Sequence, residues 1–451
     1  MLSAGFFFLL HSALLAWLSF RFKHILTTYT PFLKWFYVAL VAKIVASIAQ
    51  GLLYQHLYGA GDVINLFREA CHLSQYAWVN PARYWAFFWF DSYDPAIGFE
   101  DTSFWDQPRA LAMIKLLSCV AFFTGQHFWL SSFYLSVFSL AGTWWLVNQI
   151  AKINILIAWA ALFCLHFYPS TVFWSSGLLK ENLALGCISV VLGVYLRVFI
   201  LANRRPLGLL ALGFVCLGLL WIVKFYYAGV LMLVLLAYRI TQWLVQIVPI
   251  RRSIFQILVG LCVVILLVVP ITSLHPTLRL DTLFINIIYN HNTTYLFSAD
   301  EDLIHYSKIG HKGYINLHNS WQSFLYNAPE AWFSGLFRPL PWEASNKLAH
   351  LAALENIFWL CATLAGLVRY GWGRCFKLPL MPTFFLFLYV SLLATLLALS
   401  SPNFGSLVRY RVSYLPFGMM PVVWIWLQTR YFAFLHPLWN TDAPRPGNLS
   451  P

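Results

Sequence analysis

Charge is the scarce quantity in this sequence: Asp, Glu, Lys and Arg make up 10% of 451 residues, against about 25% in soluble domains. With 60% hydrophobic residues and apolar runs of membrane-crossing length recurring along the chain, a soluble globule is excluded. Cysteine is sparse as well. Of eight cysteines, Cys164, Cys187, Cys216, Cys262 and Cys361 lie inside apolar runs and only Cys71 is clearly in a loop. Neither a disulfide framework nor a CxxC metal site is therefore expected. A Walker loop, a dinucleotide fingerprint and a GxSxG elbow are all missing. No internal repeat is visible, which removes the inverted-repeat signature of many transporters. A positive n-region is also missing ahead of the first apolar run, which Arg21 and Lys23 follow. That order predicts a retained helix with its N-terminus outside, not a cleaved signal peptide.

Twelve apolar segments are present, at about 3–20, 31–54, 109–124, 128–147, 154–168, 183–201, 206–223, 226–247, 253–273, 351–369, 379–400 and 410–428. The net charge of +13 fits Lys and Arg retained in cytoplasmic loops, so no nucleic-acid partner is expected. Basic clusters at Arg21/Lys23, Lys152, Arg197/Arg204/Arg205, Arg251/Arg252, Arg369/Arg374/Lys377 and Arg430 fall on one side only if 109–124 does not cross. The expected fold is all-α: a polytopic integral membrane helix bundle of about eleven crossings plus one half-helix. Residues 1–273 would form a transmembrane core with a large outer loop at 55–108. Residues 274–350 would form a small extracytoplasmic helical cap, 351–430 the C-terminal crossings, and 431–451 a disordered cytoplasmic tail. Of the 16 acids, all but Asp442 then lie in outer loops or at outer helix ends, so the polar work falls on that face.

The stretch YPSTVFWSSGLLKEN, residues 168–182, is a polar break between two apolar runs, expected at the membrane–water boundary. Pro169 ends the incoming helix, and Lys180 and Glu181 stand at the mouth of the next. They read either as a helix-anchoring ion pair or as functional charges facing a cavity. Asp62, in Gly59-Ala60-Gly61-Asp62, is either the cap of the following helix or a carboxylate on a flexible turn that a ligand can approach. Glu69 follows on the same helix. Lys180, Lys224, Arg338, Arg409 and Arg411 are cations on the outer face, where the positive-inside trend would remove them. As a set they suit a lipid-linked phosphate; singly, each could pair with Glu181, Glu343 or Glu355. His291, His305, His311 and His318 lack tight metal-ligand spacing, so no metal site is expected, and divalent-ion dependence stays open.

Taken together, GAGD with its aromatic loop and half-helix, and YPSTVFWSSGLLKE with Pro169, Ser176 and Glu181, resemble the polytopic glycosyltransferases of the GT-C type. The resemblance covers about the first half of the chain and departs in having two crossings before the first loop and a single Asp there. It implies sugar transfer from a polyprenyl-phosphate carrier on the extracytoplasmic face of a bacterial inner membrane. Asp62 would be the catalytic base, with Glu69 and Glu181 next in line. Lys180 with Arg409 or Arg411 would hold the carrier phosphate. The implied partners are the lipid-linked donor, a glycan or lipid acceptor and membrane lipids, with no cofactor. A polysaccharide polymerase using polyprenyl-pyrophosphate glycans and a flippase or transporter remain as alternatives.

Overall fold

The computed structural model describes residues 4–56, 62–92, 94–100, 104, 107–202, 206–248, 250, 252–274, 279–299, 314, 317–344, 346–372 and 379–429. Gly59–Gly61, the acidic residues at 300–302, His305, His311 and the tail 431–451 lie outside the described residues, as does the side chain of Asp62. Among the described residues the chain is helical throughout, with no strand. Eight of the described helices are long and apolar enough to cross a membrane, which makes this a helical membrane protein. The chain divides into two compact units, Met1–Phe225 and Tyr226–Pro451.

In unit 1, α1 (Ala4–Leu26), α2 (Leu33–His56), α6 (Phe128–Ala151) and α9 (Lys180–Tyr195) carry spans. α6 and α9 pack closely because glycine faces glycine: a Cβ on Gly142 would lie 2.7 Å from the Gly186 carbonyl. Small residues of this kind let membrane helices approach. Two short helices lie between them. α7 (Ile155–His166) starts where the Asn154 side chain accepts from the amides of Leu156 and Ile157, and α8 (Pro169–Trp174) follows.

Between α2 and α6 stand three helices too short or too polar to be candidate spans. They are α3 (Asp62–Val79), α4 (Pro81–Phe90) and α5 (Pro108–Phe123). α3 buries Val63, Leu66, Phe67, Ala70, Leu73, Tyr76 and Ala77, the three-and-four spacing of an amphipathic helix. Met113, Ile114 and Leu117 of α5 and Tyr84 and Phe87 of α4 complete that core. Trp78, Trp89 and Phe90 remain exposed. α5, only 16 residues long, covers the segment expected as a half-helix.

The two apolar segments at 206–223 and 226–247 form one element, α10 (Pro206–Ile247), interrupted by non-helical backbone at Lys224. The unit boundary falls beside that interruption. Unit 2 continues with α11 (Ser253–Leu274), α12 (Leu280–Ala299), α13 (Trp321–Phe337), α14 (Lys347–Trp372), α15 (Leu380–Ser400), α16 (Phe404–Tyr410) and α17 (Leu415–Leu427). Two helices of the segment expected as a cap, α12 and α13, pack against α15, itself a candidate span. A Cβ on Gly335 of α13 would meet the Ala394 carbonyl at 2.4 Å, and Trp332 Nε1 donates to Ser391 Oγ at 3.0 Å.

Candidate functional site

The break at 168–182 is built from backbone groups that the two apolar helices leave over. Phe167 and Tyr168 amides both return to the Phe163 carbonyl, closing α7, and Pro169 opens α8. The Ser175 and Ser176 hydroxyls, both fully buried, donate back to Thr171 O at 2.5 Å and Val172 O at 2.6 Å. Gly177 then turns the chain with φ +68°, the left-handed region that favours glycine. Its amide donates to Ser136 Oγ on α6 at 2.9 Å, and its carbonyl accepts from Asn182 Nδ2 on α9 at 2.7 Å. Irregular backbone inside a membrane bundle persists only where such partners exist.

Lys43 decides how deep the break lies. It stands midway along the candidate span Thr30–His56 and is 1% exposed. Its ammonium donates to Ser139 Oγ at 3.2 Å, to Ser175 Oγ at 2.8 Å and to the Ser175 carbonyl. Ser175 is thus within a lysine's reach of the middle of that span, whereas the sequence placed it at the boundary. The physical reason is length. At about 1.5 Å per residue, the 12 residues of α7 rise about 18 Å, short of the roughly 30 Å hydrocarbon core.

The α3–α5 core packs directly on the break. Leu178 and Leu179 belong to it, and Trp174 and Leu183 pack against it. The two stretches singled out in the sequence therefore meet in the fold. Asp62 opens α3. Glu69, fully buried on α3, accepts from the Glu100 amide at 3.1 Å. Arg68 and His72 flank it and bind the Glu100 carboxylate at 3.1 and 3.3 Å. The connection after α4 is fastened twice. Lys115 of α5 reaches Asp91 at 2.5 Å. Asp94 accepts from Tyr76 OH at 2.6 Å, the Ala96 amide at 2.9 Å and Arg83 at 2.7 Å. In order, the Tyr76 hydroxyl, the Ala96 amide and the Arg83 guanidinium hold the Asp94 carboxyl down at about 2.

Of the cations expected to bind phosphate, Lys224 and Arg338 make acid pairings that the sequence offered as the alternative. Lys224 is buried and donates to Glu181 at 2.7 Å, with Glu181 also buried. Arg411 is 1% exposed and donates to Asn356 Oδ1 at 2.7 Å and to the Arg338 carbonyl. Both are desolvated, and a desolvated charge persists only with partners supplied from neighbouring elements. Arg338 pairs with Glu343 and approaches Glu330 at 3.9 Å. Lys180 and Arg409 are partly exposed, the latter donating to Tyr410 OH at 3.3 Å. His291 is buried, its Nε2 accepting from the Tyr314 amide at 3.3 Å. His318 meets Ser320 at 3.0 Å. Among the described residues no three His, Cys, Asp or Glu side chains gather as a metal site.

Sequence reasoning passed over Lys43, Gln50 and His166. Lys43 carried a signal, being a lysine at the centre of an apolar run, a position that marks function by default. Gln50 and His166 carried none until the fold set them beside the break. Comparison of the chain with protein-family models, curated proteins and solved structures finds no match.

Proposed function

We propose that this protein is a membrane glycosyltransferase that moves a sugar from a polyprenyl-phosphate donor onto a glycan or lipid acceptor at the extracytoplasmic face of a bacterial inner membrane. The observation that carries the reading is the packing of the α3–α5 layer on the 174–183 stretch, which joins the two regions of GT-C resemblance. The exposed Trp78, Trp89 and Phe90 suit helices lying in the headgroup region. Asp62, at the first position of α3, takes the acceptor proton. The partly exposed Lys180 neutralises the leaving phosphate, and the partly exposed Arg409 is a separate candidate contact for the lipid-linked donor. Lys224 and Arg411 hold the framework. Eleven crossings follow if α10 counts twice and if α7 with α8, and α16 with α17, each complete one crossing beside the eight long spans. The N-terminus is then outside and the C-terminus inside.

Purified protein given a polyprenyl-phosphate sugar and a lipid acceptor tests this directly. Asp62→Asn should transfer sugar about 10²- to 10⁴-fold more slowly with an unchanged unfolding midpoint, because Asn caps helices as well as Asp does. Transfer by Asp62→Asn at the wild-type rate refutes Asp62 as the base. No transfer by wild type from any such donor refutes the enzyme class.

One observation favours a second reading, a carrier for an anionic lipid or glycan: Lys43 sits at mid-span beside a broken helix, where transporters place their charges. Vesicles containing the protein would then move a lipid-linked glycan between leaflets without cleaving it.

A further inference from the structure

Four polar atoms around the break are buried with no hydrogen-bond partner among the described residues: both ring nitrogens of His166, Gln50 Nε2 and Asn182 Oδ1. His166 and Asn182 are fully buried and Gln50 is 1% exposed. They are not scattered. Gln50 and Asn182 both bear on Gly177: the Gln50 carbonyl oxygen lies 2.0 Å from where a Gly177 Cβ would stand, and Asn182 donates to the Gly177 carbonyl. His166 lies within the electrostatic reach of Lys43, whose ammonium is held by Ser175 and Ser139. Ser47 and Ser132, bonded to each other at 2.7 Å, stand on the same helices, α2 and α6. Gln50 and Asn182 thus meet at Gly177, and two residues away Ser175 holds the Lys43 ammonium, whose charge reaches His166 on α7.

Buried polar groups take partners, and where protein supplies none, ordered water does. A site that holds water needs several polar groups converging on it, and these residues converge on one stretch of irregular backbone. The geometry points to a water-binding site inside the membrane-spanning part of unit 1, centred on Ser175–Gly177, with His166, Gln50 and Asn182 as its ligating side chains. Bound water there completes the hydrogen bonding of the break and solvates the Lys43 ammonium at the middle of its span. This inference is independent of the proposed transfer activity, since it needs only the fold of unit 1.

X-ray hydroxyl-radical footprinting of the wild-type chain in lipid nanodiscs tests it, because radicals form at bound water and mark adjacent side chains even when bulk solvent cannot reach them. After correction for intrinsic reactivity, His166 should be oxidised at least several-fold faster than Phe32 and Phe36, which are as deeply buried. Amide exchange across 163–182 should stay slow in the same sample. Oxidation of His166 no faster than that of Phe36 overturns the site. So does fast oxidation accompanied by fast amide exchange, which would mean that the label came from local opening.

Discussion

Glu181 and Lys224 form an ion pair at 2.7 Å in which the carboxylate is 2% and the ammonium 5% exposed. Glu181 stands in the first turn of α9, where the helix dipole favours a negative charge. Lys224 stands where α10 loses its helical backbone. Two residues that the sequence presented as base and phosphate ligand thus neutralise each other. Glu181→Gln should cost about 3–5 kcal/mol by leaving a buried ammonium uncompensated. The double replacement Glu181→Leu with Lys224→Met should recover most of that loss. Unfolding curves of the single and double variants in detergent decide; a silent Glu181→Gln would show the pair to be dispensable.

Gly177→Ala should be among the more damaging small substitutions in unit 1. Its φ of +68° costs an L-residue about 1–2 kcal/mol, and the new methyl would strike the Gln50 amide. Adding Gln50→Ala should relieve the collision but not the backbone cost. Midpoints for the single and double variants separate the two contributions, and full recovery would mean that the φ value is relaxed by neighbours.

Acid should loosen the connection between α4 and α5. The folded Asp94 carboxyl is held at about 2, below the ordinary unfolded value of about 3.9. A depressed folded pKa means that its contribution is complete above about pH 4 and is lost as pH falls toward 2. Protection of the amides around Ala96 and Ile97, taken against the intrinsic exchange rate at each pH, should fall over that window. Asp94→Asn should remove the pH dependence. An unchanged acid response in Asp94→Asn would move its origin elsewhere.

Arg409 and Arg411, two residues apart, should behave differently. Arg411 is 1% exposed and tied to Asn356 and to the Arg338 carbonyl, so Arg411→Ala strands buried acceptors at about 1–3 kcal/mol and should lower the yield of folded protein. Arg409→Ala should fold normally and weaken use of the lipid-linked donor. Normal folding of Arg411→Ala, or wild-type donor use by Arg409→Ala, would reverse the assignment.

The proposed orientation is open to thiol labelling, but not at Ser175, which is fully buried. Phe90, 81% exposed on α4, is the better site. Phe90→Cys, in a variant stripped of native cysteines, should react with an impermeant reagent in intact cells. Protection in cells with labelling in inverted vesicles would invert the topology.

Much of the helical framework could be read along the chain. An apolar run surrounded by lipid has to satisfy its backbone internally, and a helix does so whatever its neighbours. The runs at 31–54, 128–147, 183–201 and 379–400 accordingly appear as α2, α6, α9 and α15. Charge placement set the run that forms α5 apart from the others, and Asp62 was read as the start of the helix that is α3. Pro169 and Gly177 announced the break, because their backbone constraints are local. Its depth was another matter. That depends on Lys43, 132 residues from Ser175, and nothing local ties the two positions. The charge states of the candidate site were hidden for the same reason. Whether Lys224 faces water or Glu181, and whether Arg411 is a ligand or a strut, is set by which helices pack together. Desolvation and pairing act through space, so only the tertiary structure could decide them.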